Sequence, residues 1–277
     1  MAARTRRCVL FFGLCTILLL IALGSCSADG FFYYPSDALY ATPAHYGLTV
    51  EEVRFRAKDG TKLHGWWAPA VDVAEPKGTV VFCHGNYGNI SNHLGSVAWL
   101  PRRGFNLLLF DYRGYGQSDG EVSRAGTVAD AIGAIDFALA RDSRTVVFGH
   151  SLGGAVAIPA VAARPQVKAI AVEATFPSYR AAARAAAPAL CWLTGMLVSE
   201  GFDPEDALAG LPPRPLLVIH GTHDHIVPFR LGKQLYDLAQ EPKTLYSVEG
   251  GRHATPWVYE GERFEAMLCK FFEAALE

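Results

Sequence analysis

The chain has 277 residues, 51% of them hydrophobic and 19% charged, with a formal net charge of −2. That balance excludes an intrinsically disordered chain, and it argues against nucleic acid as a partner because no basic patch stands out beyond the N-terminus. The length exceeds the usual domain size but suits a single α/β domain, and no internal repeat or low-complexity linker divides it.

Arg4, Arg6 and Arg7 precede an apolar run over 9–23, and Leu23-Gly24-Ser25-Cys26 follows. A basic start, a short apolar core and small residues before a break form the layout of a secretory signal. The run is shorter than the roughly 20 residues that comfortably span a bilayer. Leu-Gly-Ser-Cys also resembles the bacterial lipobox, in which the cysteine is acylated and becomes the new N-terminus. Residues 1–25 are thus expected to be a signal peptide, Cys26 the lipidation site, and 26–47 a tether and lead-in. An uncleaved signal anchor is the alternative. Either form implies export and a membrane partner in the bacterial cell envelope. Signal removal takes away three arginines and no acid, bringing the net charge from −2 to −5.

Cys8 and Cys15 fall in the signal, which leaves Cys83, Cys191 and Cys269 in the body of the chain. Their spacing offers neither a disulfide framework nor a zinc pattern, so free buried thiols are expected, with a Cys191–Cys269 disulfide left open.

Residues 50–56 and 62–68 read as an antiparallel pair across the turn Lys58-Asp59-Gly60. Strands and helices then alternate: strand 79–83, helix 92–103, strand 106–110, helix 127–141, strand 145–148, helix 152–164, strand 168–172. Such alternation implies right-handed crossovers and a mainly parallel, doubly wound sheet. Residues 176–211 break the rhythm with an alanine-rich helix and Pro188, and are expected to form a small helical cap. Strand 215–219, helix 229–240, strand 244–248 and helix 257–276 complete the chain.

The chemistry lies on the loops that follow these strands. Thr145-Val146-Val147-Phe148 runs into Gly149-His150-Ser151-Leu152-Gly153, a G-x-S-x-G pentapeptide between strand and helix. That context is what a nucleophile elbow requires: a sharp turn holds the Ser151 hydroxyl above the sheet, and small neighbours let the chain pass closely. A serine needs a base to take its proton and a carboxylate to orient that base. Asp224 follows the strand over 215–219, and His253 sits on the glycine-rich loop after the last strand. The order Ser…Asp…His is the one expected of this arrangement. After strand 79–83, the loop His84-Gly85-Asn86 offers a backbone N–H at Asn86 that would join that of Leu152 as an oxyanion hole. His84 reads as a structural histidine that hydrogen-bonds its own loop.

Glu173, Asp203 and Asp206 are rival acids. His220, His223, Asp224 and His225 raise the question of a metal, but the cluster lacks the helical spacing of H-E-x-x-H, so no metal is assigned. No motif calls for a cofactor.

The chain resembles the α/β-hydrolases of the membrane-anchored, single-domain esterase/thioesterase branch, also called serine aminopeptidase-like. Four blocks carry the resemblance: residues 59–66, residues 84–86, residues 111–118 and the elbow, with the Asp224 and His253 segments completing it. It implies an α/β-hydrolase domain over 48–277, with the cap at about 176–211. Ser151, Asp224 and His253 would be nucleophile, acid and base, and Asn86 and Leu152 the oxyanion donors. The implied substrate is a small acyl ester or thioester. Peptide or amide cleavage is an alternative, and so is a non-catalytic binding module on the same fold. The oligomeric state is left open.

Overall fold

The computed structural model describes residues 28–190, 198, 200–253 and 255–277. The expected signal, the lipidation site Cys26 and Cys191 lie outside the described residues. In chain order the strands are β1 (Tyr34–Pro35), β2 (Glu51–Arg56), β3 (Lys62–Ala68), β4 (Gly78–Cys83), β5 (Tyr87–Gly88), β6 (Phe105–Phe110), β7 (Thr145–His150), β8 (Ile170–Glu173), β9 (Leu216–Gly221) and β10 (Lys243–Val248). The α-helices are α1 (Ile90–His93), α2 (Arg124–Arg141), α3 (Leu152–Ala162), α4 (Tyr179–Ala186), α5 (Pro204–Ala207), α6 (Phe229–Leu238), α7 (Pro256–Glu260) and α8 (Glu262–Leu276).

One sheet runs in the order β10-β9-β8-β7-β4-β6-β3-β2. Its strands are parallel from β10 to β6, and β3 and β2 join antiparallel at one edge. Alternate side chains of each strand leave opposite faces. Val81, Leu108, Phe110 and Val147 pack under α2, α3 and α6, whereas Val80, Phe82, Leu109 and Phe148 pack under α8 and residues 90–100. Both faces are covered, which is why these strands read as continuous apolar runs rather than alternating ones.

Several boundaries differ from the sequence reading. The helix expected over 92–103 is instead α1 followed by 3-10 turns at Leu94–Ser96 and Leu100–Arg103. Pro101 donates no backbone N–H, and a Cβ at Gly95 would lie 2.7 Å from the Tyr46 hydroxyl, so a regular helix does not continue there. Helix 257–276 is divided into α7 and α8 at Gly261, whose φ is 51°. α2 starts three residues earlier than expected because the Ser123 side chain accepts from Gly126 N and caps it. The two-residue parallel pair β1–β5 was not foreseen.

Over 176–211 the described residues form α4, a 3-10 turn at Pro188–Leu190, α5 and a second 3-10 turn at Leu208–Gly210. Cys83 and Cys269 are free and buried, and burial pushes their thiols up, to about 12 and about 11. Among the described residues, no helix is long and apolar enough to cross a membrane.

Candidate active site

β7 ends at His150, and Ser151 turns directly into α3 with φ 54° and ψ −118°. A positive φ on a residue with a Cβ is strained, and the neighbouring glycines show what the turn demands. A Cβ on Gly149 would lie 2.7 Å from the Gly153 carbonyl oxygen, and one on Gly153 would collide with the Cys83 carbonyl. The Ser151 N–H donates to the Glu173 carbonyl at 2.7 Å, tying the turn to the end of β8.

The Ser151 Oγ lies 3.0 Å from His253 Nε2, and His253 Nδ1 lies 2.7 Å from Asp224 Oδ2. A carboxylate can only accept, so the imidazole donates through Nδ1 and leaves Nε2 free to accept the serine hydroxyl. Asp224 is buried, and its Oδ1 accepts from the N–H groups of Ile226 and Val227, each at 2.9 Å. Burial alone would push its carboxyl up. The hydrogen bonds from His220, His253 and Val227 outweigh that effect and hold it well below the usual carboxylate range. His220 Nε2 lies 3.4 Å from Asp224 Oδ2 and donates to Val227 O at 2.7 Å. The acid and histidine loops are joined by backbone bonds, Thr222 N to Val248 O at 3.0 Å and His223 N to Gly251 O at 2.9 Å.

Ser151 and His253 border a cavity of about 280 Å³ whose other walls include Phe31, Phe32, Phe176, Leu152 and Val227, with Ala182 and Ala186 from α4. Asn86 and Leu152, the expected oxyanion donors, reach the same cavity, and their backbone N–H groups donate to no other described residue. Asn86 is held on its C-terminal side: its carbonyl, in the peptide after the one that carries its N–H, accepts from Tyr34 N at 2.9 Å and from the Tyr115 hydroxyl at 2.8 Å. Neither tyrosine was singled out from sequence. Tyr115 belongs to the 111–118 block that carries the family resemblance, which is the one signal that pointed to it.

Two of the three rival acids, Glu173 and Asp203, are engaged elsewhere. Glu173 is buried with Oε2 3.2 Å from His150 Nδ1, and Asp203 Oδ1 accepts from Tyr179 N at 2.7 Å. His84 donates through Nδ1 to Gly85 O at 2.7 Å, as a loop-holding histidine should, and its ring packs on Tyr112. Burial lowers its pKa to about 4. Within the His220–His225 cluster, His220 is turned inward onto Asp224, while His223 Nδ1 sits 3.4 Å from the Thr222 hydroxyl. Among the described residues, no group of three histidine, cysteine or acidic side chains converges as metal ligands would.

Comparison with known proteins agrees with this fold. Residues 74–202 match the family described as serine aminopeptidase, S33. The chain is 37% identical over 258 residues to the uncharacterized protein YfhR of Escherichia coli K12, covering 90% of this chain and 88% of the relative. It is 32% identical to the alpha/beta hydrolase domain-containing protein WAV2 of Arabidopsis thaliana, covering 84% and 81%. Among solved structures, an esterase of Pyrococcus furiosus superposes with a TM-score of 0.73 at 21% identity, over 89% of this chain and 99% of that one. At that identity the likeness speaks for the fold.

Proposed function

The chain belongs to the α/β-hydrolase family, and on that premise we propose that this hydrolase cleaves carboxylic esters or acyl thioesters through an acyl-serine intermediate. The reading rests above all on the unbroken hydrogen-bond chain from Ser151 through His253 to Asp224 beside an apolar cavity. Ser151 Oγ attacks the acyl carbonyl carbon as its proton passes to His253 Nε2, and Asp224 stabilises the resulting imidazolium. The carbonyl oxygen gains the negative charge and is met by the N–H groups of Asn86 and Leu152, with the start of α3 adding its dipole. Collapse of the intermediate breaks the bond to the alcohol or thiol, which leaves with the proton from His253. Water then gives its proton to His253, attacks the acyl-serine and releases the acid.

The S33 family description favours a second reading, cleavage at a free amino terminus. An amino terminus calls for a carboxylate in the pocket, and the described residues lining the cavity include no Asp or Glu. Apolar walls suit an acyl chain better.

The sequence layout around Cys26 supports export and tethering as a lipoprotein, with an uncleaved anchor as the alternative. The residues concerned lie outside those described.

The test of the chemistry is Ser151→Ala. The variant should fold, lose labelling by a fluorophosphonate probe, and lose turnover of a p-nitrophenyl ester by on the order of 10⁶. Labelling of the variant at the wild-type level would remove Ser151 from the mechanism.

A further inference from the structure

The mouth of the Ser151 cavity is unusually apolar on its outside. Phe31 is 77% exposed and Ile226 is 67% exposed, yet both line the same cavity as Ser151 and His253. Tyr34, also on the cavity wall, pairs in register with Tyr87 across β1–β5, so the two side chains leave the same face. Tyr87 in turn packs on Tyr40 with ring centroids 6.0 Å apart, and Leu39 beside it is exposed. Exposed aromatic and aliphatic side chains joined in this way around one opening mark a surface that meets something apolar.

Chain length indicates what it meets. Phe31 follows Cys26 by five residues and the end of the apolar run at Leu23 by eight. At a maximum of about 3.5 Å per residue, a lipid on Cys26 keeps Phe31 within about 18 Å of the bilayer, and an uncleaved anchor keeps it within about 28 Å. A globule of this size is on the order of 45 Å across, so the end bearing the cavity mouth is the end nearest the membrane. Tyrosine and phenylalanine are side chains suited to the membrane–water interface. With signal removal taking the net charge to −5, attraction to anionic headgroups is not what would hold this face down.

We propose that the rim formed by Phe31, Tyr34, Leu39, Tyr40, Tyr87 and Ile226 docks on the bilayer that holds the anchor, so that the Ser151 cavity receives acyl chains from esters dissolved in that membrane. This rests on the serine-hydrolase reading and on N-terminal anchoring. It adds the route of entry and the physical state of the substrate.

The full chain is reconstituted in phosphatidylcholine vesicles and given two substrates, p-nitrophenyl acetate from the water and a fluorogenic long-chain acyl ester within the bilayer. Leu39→Glu combined with Tyr40→Glu changes the rim away from the cavity wall. Turnover of the bilayer ester should fall at least tenfold, with acetate turnover within twofold of wild type. Equal turnover of the bilayer ester by variant and wild type overturns the proposal. A photoactivatable phosphatidylcholine in wild-type vesicles supplies a readout independent of the variant, and decides the matter if the variant loses both activities through misfolding. Crosslinks should map to residues 31–40 and 87, and crosslinks confined to other surfaces overturn the proposal. The premises fail differently. Absence of fluorophosphonate labelling and of both activities in the wild type defeats the hydrolase reading, and failure of the full chain to float with vesicles defeats the anchor. Acetate turnover without bilayer turnover in floating wild-type protein defeats this inference alone.

Discussion

The Tyr115 hydroxyl donates to the backbone carbonyl of Asn86 at 2.8 Å, from 29 residues further along the chain. The peptide it grips precedes β5, and Tyr34 N holds the same carbonyl from the other side at 2.9 Å. These two holds fix the Asn86–Tyr87 peptide and so brace the Asn86 Cα from its C-terminal side. His84 Nδ1 donates at 2.7 Å to the Gly85 carbonyl of the peptide that carries the Asn86 N–H, the proposed first oxyanion donor. Tyr115→Phe removes one of the two holds and leaves the N–H itself in place. Loss of a whole oxyanion donor costs about 10²–10³ in kcat, so a loosened one should cost about tenfold, with KM little changed. Steady-state kinetics on a p-nitrophenyl ester checks this. A rise in KM at constant kcat would assign Tyr115 to substrate binding instead.

Asp224 and Glu173 both lie buried close to the serine turn, but their carboxylates face different histidines, His253 at 2.7 Å and His150 at 3.2 Å respectively. Asp224→Asn should lower kcat by on the order of 10⁴, since an amide favours the wrong imidazole tautomer and cannot stabilise the imidazolium. In the wild type the Asp224 carboxyl is held below the ordinary value, so it is ionised throughout the neutral range and its own titration does not enter the neutral pH profile. Glu173→Gln should stay within about tenfold of wild type. The opposite pattern would transfer the acid's role to Glu173.

The strand-to-loop junctions were legible because each has a local signature. The β-branched run before G-x-S-x-G, the buried run ending at Gly221 and the glycine pair Gly250-Gly251 each announce a strand that stops at a loop. Those loops do bring Ser151, Asp224 and His253 into one hydrogen-bond chain. The β1–β5 pair was not legible, since two-residue strands carry no periodicity and their partners are 53 positions apart. The segment 92–103 misled for a related reason: its apolar spacing is helical, but contact with Tyr46 at Gly95 and the missing N–H of Pro101 are decided by tertiary context and backbone chemistry. The hold of Tyr115 on Asn86 escaped notice because a hydroxyl-to-carbonyl contact across 29 residues has no sequence pattern of its own.

His84 makes stability depend on mild acid. Burial lowers its pKa from the ordinary 6.5 to about 4 in the folded protein. Between those values the unfolded chain binds a proton that the folded one does not, so stability is full above about pH 6.5 and declines as pH falls towards 4. At 1.36 kcal/mol per pH unit the loss approaches about 3 kcal/mol by pH 4. His93, also shifted down by burial, acts in the same direction. Urea unfolding at pH 7.5 and pH 4.5 should show His84→Gln losing less stability on acidification than wild type, by about 2 kcal/mol. An equal loss in both proteins would place the acid sensitivity elsewhere.

The N-terminal proposal turns on one atom, the Cys26 sulfur. Arg4, Arg6 and Arg7, the apolar run over 9–23 and Leu23-Gly24-Ser25-Cys26 stand in the order that export and acylation require. A single acyl chain binds a membrane marginally, at about 0.8 kcal/mol per buried CH₂, so lasting attachment calls for two or more chains or for an uncleaved apolar segment. The two forms separate cleanly by mass spectrometry of protein purified from its native membrane. A first residue of Cys26 carrying lipid supports the lipoprotein, whereas an intact Met1 or Ala2 start supports the uncleaved anchor. Cys26→Ser should block processing and lipid attachment in the first case and change neither in the second. Because the Ser151–His253–Asp224 chain is formed by residues 151, 253 and 224 alone, the same variant should keep its fluorophosphonate labelling in both. Recovery of unprocessed chain in the aqueous phase would remove both membrane forms and leave the hydrolase reading untouched.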